Sequence, residues 1–221
     1  RCLSEGRYAA HVVSWHRFAR AELPATPWKN GGGTTREVAA WPPGASVQDF
    51  DWRISVATIA ADGPFSAFAG IDRVITLLAG DGVLLQGAGW SHALDEALAP
   101  FAFAGDEPVQ ATLLGGASED FNVMTRRGRC QAQVRVVRTA QPIAMDAGTA
   151  GLLLAAQGDW QWQPQGNTAP IALPAGHGMW WAASKTQGRL VPLEGQKQSL
   201  AALQVTFSSQ IGHTSVSINE V

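Results

Sequence analysis

Four stretches of the chain carry side chains suited to recognising a small anion. The first, PWKNGGGTTRE at 27–37, sets three glycines between uncharged hydrogen-bonding groups and an arginine. Glycine lets a backbone approach a ligand closely or take a positive φ, and a triple run costs backbone entropy. Asn30, Thr34 and Thr35 offer donors and acceptors, and the Arg36 fork matches a carboxylate. The pattern is not a phosphate-binding P-loop, because no Gly-Lys-Ser/Thr follows the glycines and no helical pattern opens there. A surface turn leading into a strand would use the same residues.

The second stretch, FDWRISVATI at 50–59, alternates as a strand does. Trp52, Ile54 and Val56 share one face and Arg53, Ser55 and Ala57 the other, so Arg53 points either to solvent or into a barrel lumen. The third, DGPFSAFAGIDR at 62–73, joins a Gly-Pro turn to Phe65, Ser66 and Phe68 and reads as a loop over a barrel mouth. Core packing is the default use of such phenylalanines, each worth roughly 1.5–3 kcal/mol when buried. The fourth, DFNVMTRR at 120–127, groups Asp120, Asn122, Met124 and Arg126 on one face. Inside a barrel that face is a binding surface with Arg126 as anion partner; on an edge strand it is solvated.

Metal and nucleophile chemistry find less support. The five histidines, His11, His16, His92, His177 and His213, form no H-x-H pair, and His92 stands alone in GWSHAL. No Cys/His spacing suggests zinc, so neither a metal nor another cofactor is expected. There is no G-x-S-x-G nucleophile motif. Glu37, Asp51 and Asp120 could act as acids or bases, but nothing in the sequence requires it and no catalytic residue is assigned.

The elements that must position these groups are short. With 24 glycines and 12 prolines in 221 residues, a chain breaker falls about every six positions. Between the breaks lie apolar or alternating runs at 52–59, 73–78, 82–85, 109–114, 133–137, 151–155, 160–163, 179–182 and 200–207. Strands of this length and spacing predict an all-β barrel or sandwich. Gly80-Asp81-Gly82 predicts a tight hairpin and Gly158-Asp159 a second. Helical turns are expected only near 16–22 and 118–121. A weak repeat relates ITLLAGDGVLL at 75–85 to LLLAAQGDWQW at 152–162, each followed by a segment carrying Pro and Gly (PFAFAGD at 100–106, LPAGHG at 173–178). Two similar units predict two barrel halves with the rhythm of a cupin.

Composition narrows the partners. Hydrophobic residues make up 46% and charged residues 15%, which excludes a disordered chain, and no apolar run approaches the roughly 20 residues of a membrane span. The first eighteen residues lack the apolar core of a signal peptide. A net charge of −2 and a pI of about 6.2 argue against nucleic acid as partner. The one basic concentration, Arg126, Arg127, Arg129, Arg135 and Arg138, reads as a turn and a half-solvated strand. Cys2 and Cys130 lie far apart, which suggests free thiols and a reducing compartment. A soluble, cytoplasmic protein is expected, with a homodimer left open.

Taken with FAGD at 103–106, the four stretches resemble the HutD/Ves family, cupin-like proteins associated with bacterial histidine utilisation. The resemblance covers about residues 20–195, with the segments in the family's order. It implies a bicupin: a first half at 20–115 and a second at 116–207, between an N-terminal extension (1–19) and a flexible tail (208–221). Residues 188–199 read as a loop. The resemblance implies no established catalytic activity, and a role in binding a small carboxylate of histidine degradation, formylglutamate- or urocanate-like, so as to moderate the pathway. It points to a pocket lined by Asn30, Thr35, Arg36, Trp52, Arg53, Phe65, Ser66, Asp120, Asn122 and Arg126. Arg36, Arg53 and Arg126 would clamp carboxylates, the amide and hydroxyl groups would read the other end, and Trp52 and Phe65 would exclude water. The alternatives are a metal-independent cupin enzyme with Glu37 or Asp120 as base, and a partner-binding protein with a vestigial pocket.

Overall fold

The computed structural model describes residues 15–145, 149–166, 168–182, 185–193, 195 and 199–209. In the first part, β1 (Trp15–Ala19) leads through a single 3-10 turn at Arg20–Glu22 into β2 (Ala25–Pro27), β3 (Gly33–Trp41), β4 (Trp52–Ile59), β5 (Gly63–Phe65) and β6 (Ile71–Ala79). Then come β7 (Val83–Gly87), β8 (Trp90–Leu94), β9 (Pro100–Ala104), β10 (Val109–Leu113) and β11 (Ser118–Arg126). The second part holds β12 (Cys130–Val137), β13 (Gln141–Met145), β14 (Ala150–Gln157), β15 (Trp160–Pro164) and β16 (Ile171–Leu173). It ends with β17 (His177–Ala182), β18 (Thr186–Pro192) and β19 (Ala201–Ser209).

These strands make an all-β bicupin. A six-stranded sheet, β2-β3-β4-β11-β6-β9, packs on a four-stranded one, β5-β10-β7-β8. A five-stranded sheet, β1-β17-β14-β19-β12, packs in the same way on β13-β18-β15-β16. By pairing, β11 lies between β4 and β6 and so goes with the residues before it, while β1 crosses to β17 of the later barrel.

Strand periodicity explains how the barrels join. The outer face of the six-stranded sheet presents Trp52, Ile54, Val56, Phe121 and Val123; that of the five-stranded sheet presents Leu152, Leu154, Leu203, Val205 and Phe207. The two faces bury one another, with Trp52 stacked on Phe207 at 4.6 Å between ring centroids. The inner faces differ. The later barrel is filled by Trp160, Trp162 and Trp181 together with Leu153, Met179 and Leu190. In the earlier barrel Ile59, Ile75, Leu77, Val83, Leu85 and Val109 fill one end. The other end is open.

Several local expectations need correction. Gly80-Asp81-Gly82 and Gly158-Asp159 do not close hairpins. Strands β6 and β7 belong to different sheets, as do β14 and β15, so each turn is a corner carrying the chain across its barrel. The glycines supply the positive φ that the corners need, at +93°, +87° and +70°. Each corner aspartate holds a neighbouring amide, Asp81 that of Gly116 and Asp159 that of Ala175, both at 2.8 Å. Residues 16–22 are strand and 3-10 turn, and 118–121 open β11, because tertiary pairing overrides a weak local helical preference. Strand β18 occupies the first half of the expected 188–199 loop. Cys130 is buried and is not a free thiol, against the expectation. The tail beyond Ser209 and the first fourteen residues, which include His11 and Cys2, lie outside the described residues.

Phe121 sits fully buried where the two barrels meet. Phe121→Ala is expected to cost about 3–5 kcal/mol through lost burial and the cavity left behind, read as a lowered urea midpoint.

Candidate functional site

The open end of the earlier barrel is a cavity of about 890 Å³, within the range of small-molecule sites. Its floor is the inner face of the six-stranded sheet. Directly opposed residues share a face, so the registers give its layout in rows. One row runs Arg53, Met124, Arg73 and Phe103 across β4, β11, β6 and β9. The next runs Glu37, Ser55, Asn122 and Ile75, and the third Thr35, Ala57, Asp120 and Leu77. Alternation in β4 thus sends Arg53 inward and Trp52 outward.

Three loops build the rim. The turn between β2 and β3 brings Trp28, Lys29 and Asn30; the segment after β3 brings Val47 and Gln48; the end of β5 brings Phe65 and the segment after it Ser66 and Phe68. The glycine run shapes the first of these. Gly31 takes φ +71°, the Gly32 amide donates to Asn30 Oδ1 at 3.0 Å, and a Cβ on Gly33 would collide with the Thr58 carbonyl oxygen. Close backbone packing against β4, rather than approach to a ligand, therefore accounts for it. Trp28 Nε1 donates to Thr35 Oγ1 at 2.8 Å and fixes the turn over the cavity.

Of the residues expected at the pocket, the cavity brings together Asn30, Thr35, Arg53, Phe65, Ser66 and Asn122. The other four lie elsewhere. Trp52 is buried between the barrels. Arg36 opposes Val56 on the outer face of the sheet, half-buried, with its Nε unpartnered. Arg126 donates from Nε to the Phe50 carbonyl and from Nη2 to that of Gln48, both at 2.9 Å, and so pins the rim segment that carries Val47. Asp120 shares the inner face beside Ala57 but has no exposed surface and does not line the cavity.

The residue that sequence reasoning passed over is Arg73. It is only 6% exposed, yet among the described residues no carboxylate pairs with it. Asn122 Oδ1 accepts from its Nη2 at 2.8 Å, while its Nε has no hydrogen-bond partner. The rings of Phe65 and Phe103 lie 5.0 Å from its guanidinium carbon and that of Phe68 lies 6.0 Å away, which supplies cation–π attraction in place of a counter-ion. Burial, and secondarily the charge of Arg53, lowers its pKa to about 10, so it remains a cation at neutral pH. Its strand reads as core in sequence; the signal available was a lone arginine two residues before Ile75, on the apolar face of an otherwise buried run.

The neighbouring cation is engaged at one nitrogen. Arg53 Nε donates to Glu37 Oε2 at 2.7 Å. A divalent metal does not suit this floor: two guanidiniums repel a cation, the carboxamide and hydroxyl are weak ligands, and the single carboxylate is engaged by Arg53. Of the histidines, His92 stacks on Phe101 and His16 on Trp180, away from the floor.

This arrangement defines a bicupin with an open, cationic, aromatic-walled pocket in one barrel. The chain belongs to the HutD family, whose profile matches residues 20–201. It is 41% identical over 181 residues to Protein Ves of Citrobacter koseri, covering 81% of this chain and 89% of that protein. Its fold is similar to a conserved protein of unknown function from Pseudomonas aeruginosa PAO1, with a TM-score of 0.78 and 32% identity over 89% of this chain and 100% of that one. It is similar also to HutD from Pseudomonas fluorescens SBW25, with a TM-score of 0.73 and 27% identity over 89% and 99%.

Burial raises the pKa of Asp120 to about 7, against the usual 3.8; a hydrogen bond from Ser118 Oγ at 3.0 Å opposes the rise and Glu119 adds to it, while Oδ2 has no partner. A raised native pKa means that the folded state holds this proton more tightly than the unfolded one. Its stabilising contribution is therefore present below about pH 4 and lost as pH climbs through 7. Asp120→Asn is expected to match the parent near pH 4 and exceed it by a few kcal/mol above pH 8, measured by urea denaturation across that range.

Proposed function

We propose that the cavity binds a small carboxylate metabolite, and that through this binding the protein moderates histidine degradation. The observation that carries the reading is Arg73, a buried cation at the floor of a cavity with no carboxylate paired to it among the described residues. Keeping such a charge desolvated is costly unless an anion joins it, and a charge-assisted pair to a ligand carboxylate recovers roughly 1.5–3 kcal/mol per hydrogen bond. Phe65 and Phe68 screen the pair from water. Ser55, Asn122 and Thr35 stand where an amide, formyl or imidazole group of the ligand would be read. Family membership supports intermediates of the formylglutamate or urocanate kind.

A second reading, turnover of such a ligand by general acid/base chemistry, draws on Glu37 at the cavity wall and on Asp120, whose pKa near 7 suits proton transfer. Asp120 has no exposed surface, which favours Glu37 as the base in this reading. Incubating the pure protein with each intermediate and following loss of the compound distinguishes turnover from binding.

The binding reading is tested by thermal-shift titration with formylglutamate, urocanate, formiminoglutamate, glutamate and histidine. A ligand at about 100 times its Kd stabilises the native state by about 2.7 kcal/mol. Arg73→Met keeps the apolar stem and removes the charge. It is expected to leave the melting temperature of the free protein unchanged or higher, because a buried unpaired cation is gone, while abolishing the ligand shift. A full shift retained by Arg73→Met, or no shift with any of the five compounds, contradicts the reading.

A further inference from the structure

Arg53 and Arg73 line the same cavity from β4 and β6, with Met124 of β11 between them in one row. Two strand spacings, about 10 Å, separate their backbones. Met124 is apolar and only 4% exposed, so it neither bridges nor screens the two guanidiniums. Both have donors to spare. Glu37 engages Arg53 through Nε alone, at 2.7 Å, and no other hydrogen bond of that guanidinium is present among the described residues. Arg73 donates from one Nη to Asn122. The charge of Arg53 is felt at Arg73, where it adds to burial in lowering the pKa. Glu37, on β3 and a strand further away, does not cancel it there. The lining as a whole has the same imbalance: Lys29, Arg53 and Arg73 stand against the one carboxylate of Glu37, an excess of two positive charges.

We infer that Arg53 is the second anchor of this cavity and that the site takes a linear dicarboxylate, with one carboxylate on each guanidinium. The inference rests on the carboxylate-binding reading and adds the ligand's second charged end. Of the two kinds of ligand named there it selects the formylglutamate kind, which has two carboxylates, over the urocanate kind, which has one. Glu37 holds the Nε of Arg53, and Nη1 and Nη2 remain as a fork from which a carboxylate can accept two hydrogen bonds. A chain of about five carbons joins the two anchors across Met124, whose apolar side chain suits the methylenes between them. A dianion also matches the excess charge of the lining, and it relieves the repulsion between the two guanidiniums that a monoanion on Arg73 relieves only in part.

Glutarate and glutaramate are the probes, equal in length and differing in one terminal group: a second carboxylate against a neutral carboxamide. Calorimetric titration of the full chain at about pH 7.5, where both ends of glutarate are ionised, is expected to show glutarate binding at least about tenfold more tightly. That is the scale of one added charge-assisted contact. Arg53→Gln removes the charge and the fork, and is expected to bring the two affinities within about threefold, chiefly by weakening glutarate. Arg53→Lys keeps the charge alone and is expected to retain a smaller preference for glutarate. Arg73→Met is expected to weaken both probes together. A parent protein that binds the probes equally or prefers glutaramate, or a ratio that Arg53→Gln leaves unchanged, overturns the assignment to Arg53 while the carboxylate reading stands. Failure of both probes to bind the parent protein at millimolar concentration, or undiminished binding by Arg73→Met, overturns the reading and the inference with it.

Discussion

The six-stranded sheet is covered on both faces, and most of the molecule follows from that constraint. Its outer face packs against the other barrel, so every side chain there must be apolar or bear an unmet desolvation cost. Successive residues of a strand point to opposite faces, so the polar positions between Trp52, Ile54 and Val56 and those between Phe121 and Val123 are directed inward. Arg53 and Ser55, two residues apart on β4, thus reach the same concave surface as Asn122 of β11. The burial that joins the barrels also assembles the cavity.

The two barrels solve the same architectural problem with different fillings. Trp160, Trp162 and Trp181 close the interior of the later barrel. In the earlier one apolar filling stops at Ile75 and Leu77, and Arg73, one row further along, is the first residue above it. A guanidinium at that depth is held by aromatic faces and one carboxamide oxygen. Consecutive arginines at the end of β11 serve the rim: Arg126 holds the segment before β4, and Arg127 bonds Asp72 and Asp106 beside the segment before β6. The basic run is mostly solvated, as it reads in sequence, and two of its arginines also hold the segments beside the cavity mouth.

Where local pattern and tertiary pairing agree, the sequence was legible. Alternation in 52–59 and 120–126 gave the correct faces, and the nine short runs all fall on strands. Where a residue's meaning depends on which sheet its strand joins, reading failed. The Asp-Gly turns have hairpin chemistry, yet their flanking strands pair elsewhere and the turns became corners. Arg36 and Arg126 have the residue type of an anion clamp, but β3 places one on the outer face and the rim carbonyls engage the other. Arg73 was overlooked because an arginine opening an apolar run looks like a strand's solvated end.

The sequence by itself determined that the chain is all-β, built from short strands in two similar units, with polar faces on particular strands. Those properties follow from local rules: residue spacing, turn chemistry and the two-residue period of a strand. Only the tertiary structure decided which polar faces meet, and that Arg73 stands buried at the cavity floor with no carboxylate paired to it among the described residues. Pairing between strands 50 to 70 residues apart is set by the burial of whole sheets against each other, and no local window contains that balance. Whether a buried cation such as Arg73 meets a carboxylate is a property of three dimensions.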